Sequence, residues 1–299
     1  MGKIAFVFSG QGDQYPGMGK MLAEKYPAAQ RIFLLCDGIR PGTSSQCFYG
    51  TEEELKETIN TQPCLFALEL AAAAVLMEKG IRPAAAAGFS LGEVAAATVS
   101  GAFDLGTGFR LVCRRGEIMQ REAEKFDTAM AAVLKLEPAQ IQEICGRHPG
   151  VYSVNFNCPG QITVSGLSSR MADFLADVKA AGGRAIPLKV KGAFHSPFMQ
   201  EAAKAFAEEL AGVETKERTV TLYSNLTAAP YTEDTTGLLS AQICNPVQWE
   251  KLVRNMIRDG VDTFIEIGPG ETLTNMIKRI DREVKAVSAR EYLAEVEAC

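Results

Sequence analysis

The stretch from Ala84 to Ala97 constrains this chain more than any other, because it contains the pattern Gly-x-Ser-x-Gly around Ser90. Small apolar residues precede the pattern, as in a short buried strand, and helix formers follow from Leu91 to Gly101, where a glycine can end a helix. On such a turn a serine lies beside the free N–H groups and partial positive charge of the helix N-terminus. The motif predicts an α/β fold with Ser90 as a candidate nucleophile. The alternative interpretation is a glycine-rich turn with an incidental serine.

The composition is that of a large folded domain and disfavours several classes of partner. The chain has 299 residues, 47% of them hydrophobic, and a formal net charge of -5, which argues against nucleic acid as a partner. Its eight cysteines show no paired spacing, so we expect reduced thiols in a cytoplasmic protein and no metal site. No segment reads as a membrane span or a signal peptide, so no membrane association is expected.

The order of the predicted elements divides the chain into two domains. Between residues 127 and 191 the order is β-α-β-β-α-β, that of a ferredoxin-like unit. Residues 1–126 and 192–299 then form a large α/β domain with a parallel sheet, into which the small domain is inserted. Within the large domain, the pattern predicts one helix from Met18 to Arg31 and irregular structure from Gly38 to Gly50.

Two further residue types favour chemistry at Ser90. The chain has only two histidines, and His195 follows a predicted strand where the two domains meet, whereas His148 falls in a turn. His195 is therefore the candidate base for the serine. The pair Arg114 and Arg115 interrupts an apolar helix, so either both are surface arginines or one turns inward to hold an anion.

Seven motifs in order along nearly the whole chain resemble the malonyl-CoA:acyl-carrier-protein transacylases, the acyltransferases of fatty-acid and polyketide synthesis. They are Gly10-Gln-Gly-x-x-Tyr-Pro-Gly-Met-Gly19, Gly88-Phe-Ser-Leu-Gly-Glu93, Arg115-Gly-Glu-x-Met-Gln120, Asn155-Phe-Asn-Cys-Pro-Gly-Gln161, Ala193-Phe-His-Ser-Pro197, Asn245-Pro-Val-Gln-Trp249 and Glu266-Ile-Gly-Pro-Gly270.

The resemblance implies a fold and a set of roles. The fold would be a large α/β-hydrolase-like domain with the small ferredoxin-like insertion. Ser90 would be the nucleophile and His195 its general base and acid. The backbone carbonyl of Gln248 would orient the imidazole, and the backbone amides of Gln11 and Leu91 would form the oxyanion hole.

Substrate, partners and cofactors follow from the same resemblance. Arg115 would bind the free carboxylate of the malonyl group, and Phe194, Phe89 and Asn157 would line the substrate site. Phe89 departs from the family, which usually has histidine there. The partners would be malonyl-CoA and an acyl carrier protein, with no metal and no bound cofactor.

Other functions stay open at this point. A serine esterase or thioesterase shares the Gly-x-Ser-x-Gly turn around Ser90 but has no need of Arg115. A malonyl transferase subunit of a malonate decarboxylase, or a polyketide acyltransferase, has the same motifs. For carrier docking, the sequence offers a basic patch made of Arg184, Lys189 and Lys191.

Overall fold

A computed structural model describes residues 2–188, 190, 192–232 and 234–298 of the chain. Its larger part is built on a five-stranded parallel sheet with the strand order β7-β2-β1-β8-β9. The strands are β1 (Lys3–Phe8), β2 (Ala85–Gly88), β7 (Thr221–Leu222), β8 (Val261–Ile267) and β9 (Lys285–Ser288).

Helices cover both faces of this sheet, which is why β1 from Ile4 onward and β2 are apolar throughout. Phe6 and Phe8 of β1 point into the cluster on one face, whereas Ala5 and Val7 point into the cluster on the other. The helices of the large part are α1 (Lys20–Lys25), α2 (Pro27–Ile39), α3 (Thr43–Tyr49), α4 (Glu52–Lys56), α5 (Thr58–Glu78), α6 (Gly92–Val99), α7 (Leu105–Ala123), α10 (Gln200–Leu210), α11 (Thr235–Gln242), α12 (Trp249–Arg258), α13 (Thr272–Ile280) and α14 (Ala289–Glu297).

The region after β1 differs from the sequence prediction. The single helix predicted from Met18 to Arg31 is wrong, because Tyr26 is extended and Pro27 starts a new helix that runs to Ile39. A proline at the first helical position lacks an N–H that would be unpaired there anyway, so it begins a helix readily. The stretch predicted as irregular likewise contains α3.

Helix α5 corrects the expectation that no segment could span a membrane. Its 21 residues are long and apolar enough by length and composition, but 83% of the relevant window is buried inside the protein. It packs between α2 and α7 as a core helix, and its side chains are apolar on nearly every face because neighbours surround it.

The inserted part is a four-stranded antiparallel sheet with the strand order β4-β5-β3-β6. That is the ferredoxin-like order, so the predicted fold class is confirmed; the domain limits at 127 and 191 stay a prediction. Its elements are β3 (Thr128–Leu134), α8 (Pro138–Arg147), β4 (Val151–Cys158), β5 (Gln161–Leu167), α9 (Ser168–Ala180) and β6 (Arg184–Pro187).

Backbone hydrogen bonds join the two parts at β4. Val247 donates to the carbonyl of Val154 at 2.9 Å and accepts from the amide of Phe156 at 2.9 Å, directly before α12 begins. The insertion is therefore held against the large part beside the loop that carries His195. In the predicted basic patch, Arg184 is exposed on β6, whereas Lys189 and Lys191 lie outside the described residues.

Candidate active site

Ser90 occupies a strained turn between β2 and α6. Its φ is 55°, a left-handed conformation that costs a non-glycine residue roughly 1–3 kcal/mol. The flanking glycines are required by close packing: a Cβ on Gly88 would lie 1.9 Å from the carbonyl carbon of Gly92, and one on Gly92 would lie 2.3 Å from the carbonyl oxygen of Phe8. The Gly-x-Ser-x-Gly pattern is thus the local sequence that this turn permits.

His195 lies beside the serine, although the two are separated by 105 residues in the chain. Its Nε2 is 2.7 Å from Ser90 Oγ, and its Nδ1 is 2.9 Å from the backbone carbonyl oxygen of Gln242. Since a carbonyl can only accept, Nδ1 carries the proton and Nε2 is free to accept the serine hydroxyl proton. His195 also has a positive φ, 61°, so both members of the pair are held in strained backbone.

The carbonyl that orients His195 is not the one predicted from the sequence. The carbonyl of Gln248 accepts from the amide of Leu252 at 2.9 Å and so belongs to the first turn of α12. Gln242 ends α11, and the last carbonyls of a helix lack partners within it, so its oxygen is available to the imidazole. The assignment of Gln248 is therefore wrong, and Gln242 takes its place.

Arg115 is the inward member of the arginine pair. It is 1% exposed, and its Nη1 donates to Gln62 Oε1 at 2.9 Å. Its Nη2 donates to Gln242 Oε1 at 2.8 Å and lies 3.4 Å from Ser90 Oγ. Among the described residues no carboxylate forms an ion pair with it, whereas Arg114 points outward and pairs with acidic side chains. The site thus contains a buried cation next to the serine.

Burial sets the protonation of both ionisable groups around Ser90. It lowers the pKa of His195 to about 4, an effect to which the nearby Arg115 cation contributes. It also lowers the pKa of Arg115 to about 10. At neutral pH the imidazole is therefore neutral and able to accept a proton, while the guanidinium stays charged.

The predicted oxyanion amides lie at the edge of the sheet where the strands end. Leu91 directly precedes α6, so its amide is among the unpaired N–H groups of a helix N-terminus. Gln11 follows β1 in the glycine-rich turn, and its side chain donates to Thr58 Oγ1 at 3.3 Å. No hydrogen bond within the described part of the chain engages either amide, so both can donate to a ligand.

Asn225 holds the Ser90 turn by hydrogen bonds, and the sequence did not predict this role. Its Oδ1 accepts from the Ser90 amide at 2.8 Å, and its Nδ2 donates to the carbonyl of Gly88 at 2.6 Å. The Ser90 amide is thereby occupied and is not an oxyanion donor. The only available signal was a polar residue at the carboxyl end of a predicted strand, which is where α/β sheets place their sites.

Of the three remaining predicted site residues, two are the chain neighbours of the pair and the third lies on β4. The ring of Phe89 packs edge-on against the ring of Trp249, with 5.6 Å between the ring centroids, on the α12 face of the sheet. Phe194 is buried in the cluster on the opposite face. Asn157 on β4 is 3% exposed and donates to Thr163 Oγ1 at 3.1 Å. Neither Phe89 nor Asn157 has a hydrogen bond or ring contact with His195 in the described structure.

Sequence comparison matches residues 5–296 to the family described as acyl transferase domain. The chain is 39% identical over 297 residues to the malonyl CoA-acyl carrier protein transacylase of Bacillus subtilis, covering 96% of this chain and 93% of that protein. It is 37% identical over 290 residues to the protein of the same name from Escherichia coli, and this alignment covers 94% of this chain and 93% of that protein.

Structural comparison gives the same group of proteins. The malonyl-transacylase of Streptococcus pneumoniae, abbreviated MCAT, has a TM-score of 0.95 and 33% identity, with 99% of this chain and all (100%) of that chain covered. A transacylase solved in complex with its type II polyketide acyl-carrier protein has a TM-score of 0.91 and 33% identity, with 96% and 94% covered.

Proposed function

Because the chain belongs to the acyl transferase domain family, we propose that it transfers a malonyl group from malonyl-CoA to the phosphopantetheine thiol of an acyl carrier protein. The proposed intermediate is a malonyl ester on Ser90. Relatives named malonyl CoA-acyl carrier protein transacylase, each aligned over more than nine-tenths of both chains, support the substrate and the carrier. The pathway would be fatty-acid or polyketide synthesis.

The observation that carries the proposal is the buried guanidinium of Arg115, 3.4 Å from Ser90 Oγ. Burying a cation without a paired carboxylate is costly, so a site that does so is suited to binding an anion. A malonyl thioester presents a carboxylate two carbons from the carbonyl that reacts. Arginine's planar fork can hold that carboxylate while the carbonyl lies at the serine.

In the first half-reaction, Ser90 Oγ attacks the thioester carbonyl while His195 Nε2 accepts the hydroxyl proton. The carbonyl oxygen becomes an oxyanion held by the amides of Gln11 and Leu91. Collapse of the intermediate breaks the carbon–sulfur bond. The coenzyme A thiolate leaves with the proton from His195, and the malonyl ester remains on the serine.

The second half-reaction reverses these steps with a different thiol. The phosphopantetheine thiol gives its proton to His195 Nε2 and attacks the ester carbonyl. The carbon–oxygen bond to Ser90 then breaks, and the serine oxygen recovers the proton from the imidazole. The exchange of one thioester for another changes no oxidation state, so the reaction as proposed calls for no redox cofactor.

Localisation in the cytoplasm is part of the same proposal. The seven cysteines that the structure describes are free thiols, typical of a reducing compartment. Docking of the acidic carrier on the basic patch around Arg184 stays a prediction.

Intact mass spectrometry tests the intermediate. The protein incubated with malonyl-CoA should gain the mass of one malonyl group, and Ser90→Ala should gain none. Ser196→Ala is the matched control, because Ser196 is a buried serine that donates to the Ala193 carbonyl at 2.6 Å instead of to His195. Labelling of Ser90→Ala, or no labelling of the unaltered protein, would refute the proposed function.

A further inference from the structure

Glu93 lies behind the serine, in the first turn of α6, and is completely buried. Its Oε1 accepts from the amide of Asn225 at 2.9 Å and from the hydroxyl of Tyr231 at 2.6 Å. Its Oε2 accepts from Gln242 Nε2 at 2.7 Å. No ion pair joins it to a basic residue in the described structure. Every polar contact of this carboxylate is therefore with a neutral donor.

The side chain of Gln242 connects this carboxylate to the site. Its Nε2 donates to Glu93 and also to the backbone carbonyl of Ser90 at 2.7 Å. Its Oε1 accepts from Arg115 Nη2 at 2.8 Å, while its backbone carbonyl accepts from His195. One residue thus contacts the nucleophile, the base and the buried cation.

An amide side chain has two ends of nearly equal shape, so its orientation depends on its neighbours. Burial raises the pKa of Glu93 to about 7, and the hydrogen bonds from Asn225, Tyr231 and Gln242 favour its ionised form. An ionised carboxylate only accepts, so in that form Glu93 requires the nitrogen of Gln242 to face it. The oxygen of Gln242 then faces Arg115, which only donates. In the opposite orientation, donors would face donors at the guanidinium, and Arg115 would lose a partner inside the protein.

We propose that Glu93 is a positioning residue for the acyl-selecting arginine: through the Gln242 amide, it fixes the Arg115 guanidinium beside the serine. The inference rests on the proposed function. The amide separates the two charges, so Glu93 compensates the buried cation without contacting it. A carboxylate in direct contact with Arg115 would occupy the edge that the malonyl carboxylate needs and would repel that substrate.

Glu93→Gln tests the proposal with a change of one atom type. It can still accept from Asn225 and Tyr231, but its amide nitrogen would then face the nitrogen of Gln242. Single-turnover acylation by malonyl-CoA should fall by about 10- to 100-fold, the effect of misplacing one buried charge-assisted hydrogen bond. The rate ratio of malonyl-CoA to acetyl-CoA should fall by at least about tenfold, because acetyl lacks the carboxylate.

Tyr231→Phe is the matched control, because it removes a hydrogen bond to the same carboxylate but not the one to Gln242. Its malonyl-to-acetyl ratio should stay within about threefold of that of the unaltered protein. An equal fall of the ratio in both variants would show that the carboxylate only supports the fold, and an unchanged ratio in Glu93→Gln would also overturn the proposal.

A double variant, Glu93→Gln with Gln242→Glu, covers the case in which Glu93→Gln does not fold. It restores a donor-to-acceptor pair between residues 93 and 242 and keeps one at Arg115, but it places the carboxylate directly on Arg115 and removes the donor to the Ser90 carbonyl, so the malonyl-to-acetyl ratio is the readout. We expect a folded protein that still disfavours malonyl-CoA, and an unaltered malonyl-to-acetyl ratio would overturn the proposal. Absence of labelling in the unaltered protein would instead refute the proposed function, so the two failures are distinguishable.

Discussion

Replacing Arg115 by methionine should abolish malonyl selectivity while leaving the fold almost as stable as before. Most buried groups do not behave in this way, because they stabilise the fold that contains them. Arg115 differs because the protein holds its charge away from water without a paired carboxylate among the described residues. Methionine keeps much of the unbranched stem and removes only the charged end.

The contacts of Arg115 set the size of both the change in stability and the loss of malonyl transfer. Burial lowers the pKa of Arg115 to about 10, which corresponds to a burial cost of roughly 3 kcal/mol that methionine would relieve. Against this gain, Gln62 and Gln242 each lose the donor to their side-chain oxygen, at about 1–3 kcal/mol per site. The two terms are of similar size, so the unfolding free energy should fall by about 1 kcal/mol at mid-range values and by about 3 kcal/mol at most.

The loss in transfer should be larger than the change in stability. A charge-assisted pair with the malonyl carboxylate contributes about 2–4 kcal/mol, which corresponds to a fall of about 30- to 1000-fold in kcat/KM. Acetyl transfer should change little. Stopped-flow acylation with both thioesters, and urea unfolding of the same samples, measure the two quantities.

Arg114→Met is the matched control, because Arg114 is the neighbouring arginine and its ion pairs lie at the surface. It should leave kcat/KM unchanged and alter stability by at most about 1 kcal/mol. Equal losses of malonyl and acetyl transfer in Arg115→Met, accompanied by a large loss of stability, would show that Arg115 acts only through the fold.

Three further predictions concern the serine turn and the base. The pH profile of acylation is best measured in Glu93→Gln, because burial raises the pKa of the Glu93 carboxyl to about 7 and its titration would overlay that of the base. In that variant the imidazole-dependent rate should persist to well below pH 6 and be lost as pH falls through about 4, because burial lowers the pKa of His195 and only the neutral ring accepts a proton; a loss centred near 6.5 would contradict this. Phe89→His should leave that profile governed by His195, because position 89 packs against Trp249 instead of the serine hydroxyl; a new ionisation with a large rate gain would count against it. Asn225→Ala should lower acylation by about tenfold or more, because the Ser90 turn loses the two side-chain hydrogen bonds from Asn225; steady-state rates unchanged from the unaltered protein would show that the turn keeps its shape without them.

The parts of the site that follow from local sequence were predictable. The turn at Ser90 needs glycine at positions 88 and 92 for steric reasons, so the sequence pattern and the backbone conformation predict each other. The inserted sheet was predictable for a similar reason, since each of its strands and helices has its own periodicity. Fold class could be predicted because it depends on the order of such elements.

The parts that depend on tertiary contacts were not predictable. Gln242 was missed because α11 gives a weak pattern and because its carbonyl meets His195 only when folding brings together two residues that are 47 positions apart. Gln248 looked suitable because it falls in a motif, but that motif begins a helix and uses its carbonyls. The choice between Arg114 and Arg115 likewise depends on which face of α7 packs against α5, and both neighbours are arginine.

A single-turnover chase shows whether the acyl group passes through the protein to a carrier thiol. Malonylated protein is freed of coenzyme A and mixed with carrier protein that bears its phosphopantetheine arm or lacks it. We expect the mass of one malonyl group to leave the transferase and to appear in equal amount on the arm, and only where the arm is present. Release of free malonate at the same rate with either form of the carrier would contradict this expectation and identify a hydrolase.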